Sequence, residues 1–283
     1  MTINHEGFIA SWHEGEYEKI YHTTSEEFKR LVTLEQFCHL GTDFNKGVEG
    51  YKLLNKCLNP DHVTQYVWLD NQENKAVNVY FDSSQQIVGF LLSPYNIYPK
   101  YDRIYTKNEY IMPVDSEWFV FWGGSNVFIN YHYELTSQRY AYDLVQLKDH
   151  STYKYDGLTN SDYYAFNSPI VSPAEGTVLT VQNYMIDNEP GQVDKENVPG
   201  NFIVIEHEHQ EYSLIAHFKK ESISVKEGDQ VKKGQYLGRC GNSGNSTEPH
   251  IHFQVMNSFD INKAESIRIT FANDEPIKGD FVC

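Results

Sequence analysis

Hydrophobic positions change their period about a third of the way along the chain. Over the first ~65 residues the pattern is helical. Phe28, Leu31 and Val32 fall at i, i+3 and i+4, and Phe37 and Leu40 extend an apolar stripe that Gly41 is placed to stop. Thr24-Ser-Glu-Glu27 and Thr33-Leu-Glu-Gln36 each fit a capping box, in which hydroxyl and carboxylate or amide satisfy orphaned backbone donors. Short β-rich runs follow at Tyr66–Leu69, Ala76–Phe81 and Ile87–Leu92, the last two joined by a hairpin loop over 82–86. Helices followed by a meander predict a small α+β domain over residues 1–105. The stretch 95–118, rich in Tyr, Pro and Asn, reads as a connector lying across a surface. From Trp118 onward helical periodicity is almost gone. Strands are predicted at Trp118–Trp122, Val178–Gln182, Phe202–Glu206, Tyr212–His217 and His250–Met256, separated by Gly-, Pro- and Asn-rich turns. The whole is therefore α+β: a small α+β domain, then a mainly antiparallel β domain over 106–283.

Charge narrows the partners. The 283 residues carry 23 Lys and Arg against 39 Asp and Glu, a net charge of −16. The excess is spread evenly, with 10 basic and 17 acidic residues up to Val120 and 13 and 22 after it, so no basic domain is hidden by averaging. That argues against nucleic acid, whose binding comes largely from cations neutralising phosphates, and against an anionic membrane surface. No run approaches the ~18 apolar residues needed to span a bilayer, and the first residues form no basic-then-apolar leader. Cys38, Cys57, Cys240 and Cys283 lie far apart with no CxxC, which disfavours sulfur-ligated zinc and a disulfide framework. With cysteine set aside, the 12 histidines become the residues to follow.

His250-Ile-His252 follows Pro249 and leads into a strand, where positions i and i+2 project to one face. Two such imidazoles suit two metal ligands, or one ligand and one acid/base group. His207-Glu-His209 is an internal control, since its acidic flanks and position between two strands predict a solvated hairpin tip. Ser213, Ile215 and His217 should share a strand face. Asp143 lies in an apolar and aromatic run, Tyr140-Ala-Tyr-Asp-Leu-Val, where a buried carboxylate needs a partner; a solvated strand edge is the other reading. His132 sits nearby in Asn130-Tyr-His-Tyr. Two histidines and a carboxylate around an open position make a common hydrolytic zinc site.

Taken in order, NYHYELTSQRYAYD, SPAEGTV, GNFIVIEH, YSLIAHF, SVKEGDQVKKGQYLG and GNSGNSTEPHIHFQV resemble the catalytic domain of lysostaphin/LytM-type zinc metallopeptidases, over roughly residues 120–257. The resemblance implies a duplicated hybrid motif fold with one Zn2+ per chain, held by His132, Asp143 and His252. It implies His250 as general base or proton shuttle for the zinc-bound water, and His217 as hydrogen-bond partner of that water or of the oxyanion. The implied activity is hydrolysis of peptide bonds in bacterial peptidoglycan, at the stem peptide or the cross-bridge. There is one departure. The family pattern puts the first ligand four residues before the aspartate, where this chain has Arg139, and His132 stands eleven before Asp143. Residues 133–142 then read as a longer loop, with His150 the other nearby candidate ligand. The altered spacing is the ground for a rival reading, a non-catalytic binding or scaffold protein on a degenerate fold of the same type. A carrier barrel, suggested by SVKEGDQVKKGQ alone, needs no pair of histidines. The front domain is similar to a cystatin-like or nuclear-transport-factor-like cone, a scaffold used for pockets and for dimerisation. The family implies an extracellular or envelope enzyme, whereas a chain starting without a leader would remain cytoplasmic.

Overall fold

The computed structural model describes residues 3–283, leaving Met1 and Thr2 outside, and the chain forms two compact units that meet between Ile97 and Tyr98. In the first unit the helices α1 (His5–His13), α2 (Tyr17–Tyr21), α3 (Glu26–Leu31) and α4 (Leu34–Phe44) precede the strands β1 (Tyr51–Leu58), β2 (Thr64–Asp70), β3 (Lys75–Phe81) and β4 (Ile87–Pro94). The strands pair antiparallel in chain order. Phe8, Trp12, Ile20 and Phe37 from the helices pack against Tyr66, Trp68, Val77, Val79 and Phe81, alternate positions of β2 and β3. That alternation is what lets one sheet face receive the helices.

Several local expectations need correction here. The helical region ends near residue 45, because Tyr51–Leu58 pairs with β2 as a sheet edge. A bulge near Leu54 breaks the alternation of β1, which is why the run did not read as a strand. The Thr33–Gln36 capping box is formed, but α3 is capped by Ser25, whose Oγ accepts from the Phe28 N–H, while the Thr24 hydroxyl donates to the Tyr21 carbonyl. Leu31 is 82% exposed and Leu40 is also exposed, so the apolar stripe is not a core face at those positions. Gly41 does not stop α4. It lies inside the helix against the Tyr17 ring, a close approach that leaves no room for a side chain.

The second unit begins with α5 (Pro99–Asp102) and β5 (Tyr105–Tyr110), so the expected connector carries regular structure of its own. Then come β6 (Trp118–Trp122), β7 (Tyr142–Val145), β8 (Pro169–Val171), β9 (Gly176–Gln182), β10 (Asn201–His207), β11 (Glu211–Phe218), β12 (Gln230–Val231), β13 (Tyr236–Arg239), β14 (Ile251–Met256), β15 (Ser266–Phe271) and β16 (Phe281–Val282). The main sheet runs β12-β9-β10-β11-β14-β7-β6-β16 with antiparallel neighbours. The edge of β14 away from β11 is shared, β7 pairing with residues 251–253 and β15 with 255–256, and β15 in turn pairs parallel with β5. β8 and β13 form a small separate ladder. Leu144, Ile203, Ile215 and Phe253 project from one face of the main sheet into a core shared with Ile170 and Leu237. The opposite face carries Val204, Leu214, Ala216 and Met256 and, by the same alternation, Asp143 and His252.

Packing at Gly41 gives a test with opposed contributions. A Cβ there would sit 2.6 Å from Tyr17 Cε1. Tyr17 cannot easily retreat, because its ring stacks edgewise on Trp12 and its hydroxyl accepts from Asn45. Overpacking costs about 1–3 kcal/mol, while alanine gains about 1 kcal/mol of helix propensity over glycine. Gly41→Ala is therefore expected to lower the urea midpoint of the first unit's transition, and a raised midpoint would show that Tyr17 moves freely.

Candidate metal centre

β7 and β14 build the site. In their register His252 lies opposite Asp143, so the imidazole and the carboxylate emerge from neighbouring strands on the same face. His132 arrives on a single 3-10 turn (Tyr131–Glu134) entered through Asn130, whose side-chain oxygen accepts from the His132 N–H. The Asn130 amide nitrogen in turn donates to the carbonyls of Gly124, Arg139 and Ala141, which ties both ends of the His132–Asp143 segment together. The long spacing thus leaves the two residues adjacent: His132 Nε2 is 3.1 Å from Asp143 Oδ2, and His252 Nδ1 is 2.9 Å from Asp143 Oδ1. All three residues are buried, and one donor atom from each lies within 4.8 Å of the others.

This is a donor set that a divalent zinc ion fits, two imidazole nitrogens and one carboxylate oxygen held together at low exposure. Burial alone would raise the pKa of Asp143; the charge of His132 and the hydrogen bonds from His132 and His252 outweigh it and hold the carboxyl well below its ordinary value. His252 is pushed down by burial but raised on balance by Asp143. Arg139, the residue at the family's usual ligand position, turns away from the site. Its guanidinium lies 3.6 Å from the centroid of the Tyr98 ring and donates to the Tyr133 carbonyl. His150 is exposed on a turn and does not join the cluster.

His217 and His250 stand beside this cluster, their ring centroids 4.6 Å apart. His217 reaches it through a bulge. Asn201 pairs with Phe218 and Phe202 with Ala216, so His217 is an extra residue with φ +70°. The expectation that it shares a face with Ser213 and Ile215 is therefore corrected: the bulge turns its ring towards His250 and His252. Its Nδ1 is 2.7 Å from the Ser243 carbonyl oxygen, which only accepts, so Nδ1 carries the proton and Nε2 is bare. The same reasoning applies to His250, whose Nδ1 is 2.8 Å from the Glu248 carbonyl and whose Nε2 lies 3.9 Å from Asp143 Oδ1. Burial, reinforced by the neighbouring His250 and His252, keeps His217 well below the usual histidine range.

The control motif is corrected in part. His209 occupies the tip between β10 and β11, but His207 is buried. Its Nδ1 faces the Glu175 carbonyl and its Nε2 faces the Ser213 hydroxyl, making it a satisfied structural histidine with burial lowering its pKa. Three contributors to the site escaped sequence reasoning. Tyr131 stacks beside His132; burial and the nearby Asp143 carboxylate raise its pKa. Gln254 faces His252, and Gln138 faces His132. Gln254 was legible as the next same-face position after His250 and His252, whereas Gln138 lies in a loop without periodicity. A cleft of about 260 Å3 opens over the site, walled by Phe121, Trp122 and Tyr131 and by Asn245, Thr247 and Glu248.

Comparison with known proteins finds a likeness over part of the chain. Residues 161–266 match peptidase family M23; the matched span includes His217, His250 and His252 and begins after His132 and Asp143. The chain is 24% identical over 230 residues to the peptidoglycan DD-endopeptidase ShyA of Vibrio cholerae, covering 80% of this chain and 44% of that one. It is 32% identical over 118 residues to the glycyl-glycine endopeptidase ALE-1 of Staphylococcus capitis, covering 38% and 29%. Against lysostaphin of Staphylococcus simulans the identity is 33% over 101 residues, covering 35% and 18%. The chain thus spans less than half the length of each of these relatives.

Gly200 supports the carbonyl that orients His217. It adopts φ +60°, and a Cβ would stand 2.4 Å from the Ser243 backbone carbon and oxygen. Gly200→Ala is expected to cost at least about 2 kcal/mol through backbone strain and displacement of that carbonyl. A denaturant midpoint equal to that of the unsubstituted chain would contradict this account of how His217 is held.

Proposed function

We propose that this chain carries a peptidase family M23 domain and is a zinc metalloendopeptidase that hydrolyses peptide bonds of bacterial peptidoglycan. The observation that carries the reading is the buried His132–Asp143–His252 cluster with His217 and His250 alongside it, beside a cleft that Asp143 and His250 help to line. In this reading His132, Asp143 and His252 hold the ion. Zinc supplies Lewis-acid polarisation of the scissile carbonyl and an acidified water. The residues around it do the rest. His250, with its Nδ1 proton committed to the Glu248 carbonyl, presents Nε2 as the base that takes a proton and later returns it to the leaving amine. His217, with Nδ1 committed to Ser243, would accept a hydrogen bond at Nε2 from the attacking water in its neutral form and so orient it. The aromatic wall of Phe121, Trp122 and Tyr131 gives an extended peptide an apolar surface to lie against.

The names of the relatives support the substrate class, since they act on peptidoglycan or on glycyl-glycine bonds. A peptidoglycan substrate puts the working compartment at the cell envelope. No helix among the described residues is long and apolar enough to cross a membrane. For the first unit, helices packed on an antiparallel meander support the reading as a cystatin-like or nuclear-transport-factor-like scaffold. The rival scaffold reading of the β domain rested on the His132–Asp143 spacing, and that spacing leaves the donor atoms within reach of one ion.

Purified protein supplied with zinc is expected to release peptides from isolated peptidoglycan, and a chelator should abolish the release until zinc is restored. His250→Ala should retain zinc and lose about 10²–10⁴-fold in rate, the usual contribution of a positioned acid–base group. Undiminished release by that variant would remove His250 from the mechanism. Comparing stem-peptide and glycine-bridge substrates assigns the bond.

A further inference from the structure

A histidine that binds a metal through one ring nitrogen must keep its proton on the other, and an acceptor placed at that second nitrogen holds both tautomer and ring orientation. Both candidate ligand histidines have such an acceptor, and in both cases it is a neutral glutamine. Gln254 Oε1 is 2.9 Å from His252 Nε2, on the side of the ring away from Asp143. The orientation of this amide follows from its other end. Gln254 Nε2 lies 2.9 Å from the Ser137 carbonyl oxygen, which cannot donate, so the amide nitrogen faces Ser137 and the oxygen faces His252. His252 therefore carries a proton on Nε2, and Nδ1, which donates to Asp143 Oδ1 here, is the nitrogen that an ion would take in place of that proton. Gln254 is buried, so water does not compete for these contacts. At the other ligand, Gln138 Oε1 is 2.7 Å from His132 Nδ1, leaving Nε2 facing Asp143.

Ser137 and Gln138 both belong to the ten residues between His132 and Asp143, the segment in which the chain departs from the usual spacing. We propose that Gln138 and Gln254 are positioning residues of the metal centre, and that the lengthened His132–Asp143 segment is a built part of that centre. Gln138 orients His132 directly, and the Ser137 carbonyl orients Gln254, which orients His252. This inference rests on the metal reading given above. Amide acceptors also raise the basicity of an imidazole less than a carboxylate would, so replacing one by a carboxylate should strengthen the ligand.

The test measures zinc affinity by chelator competition on the full chain, with the visible spectrum of the Co2+ form as a second readout. Gln254→Met and Gln138→Met keep much of the side-chain shape and remove the acceptor; each is expected to weaken zinc binding about 10–100-fold and to shift the cobalt bands. Gln138→Glu is expected to bind zinc at least as tightly as the unsubstituted chain. Melting of the metal-free proteins separates this from misfolding; should Gln254→Met fail to fold, the partly exposed Gln138 carries the test alone. Unchanged affinity and unchanged bands in the Met variants, in a chain that itself binds zinc, overturn the positioning roles while leaving the metal reading intact. A chain that binds no zinc before substitution overturns the metal reading, and this inference with it.

Discussion

The Asp143 carboxylate is the constraint on which the second unit turns. It is buried, and removing an ionised carboxylate from water costs several kcal/mol unless positive partners and hydrogen bonds replace the solvent. The surroundings supply them from separate parts of the chain: His132 from a 3-10 turn and His252 from the neighbouring strand. A structure with that carboxylate in place and both of these absent would carry a poorly compensated buried charge. The cluster is therefore a requirement of the fold as well as of the chemistry assigned to it.

Its geometry depends on register. Asp143 and His252 face one another because β7 and β14 pair at those residues, and a slip by one position would send either side chain to the opposite face, among Leu144, Ile203 and Phe253. The hydrophobic alternation on the core side is thus what aims the polar residues on the other. His217 shows the complementary device. Regular alternation would have sent it inwards with Ile215, and one extra residue with positive φ re-aims it beside His250. The Ser243 and Glu248 carbonyls, both from the loop before β14, then set which nitrogen of each histidine is bare.

Much of this was legible from residues alone where a regular period carried it. The strands at 66–69, 76–81, 118–122 and 202–206 were readable because apolar and β-branched residues repeat on a pleated, half-buried surface. Strand β1 was not, since its bulge breaks the alternation and its pairing is a tertiary matter. Gly41 was misread as a helix stop because a glycine required for a close Tyr17 contact has the same letter as one required for a turn. His207 and His209 were expected to behave alike, yet the hairpin buries one and exposes the other, a difference of contacts with Glu175 and Ser213 that lie far along the chain or across it.

What the residue order determined by itself was the chemical inventory and the same-face placement of His250 and His252, because a strand's two-residue period is a local property of the backbone. It also set the net charge of −16 and the four scattered cysteines, which are matters of composition. The tertiary structure alone decided that a histidine eleven residues before Asp143 stands against it, and that Arg139 points elsewhere. It alone decided that Gln138 and Gln254 support the two imidazoles. The reason is physical: proximity in a loop depends on where Asn130 and the sheet anchor its two ends, and no spacing along the chain encodes that distance.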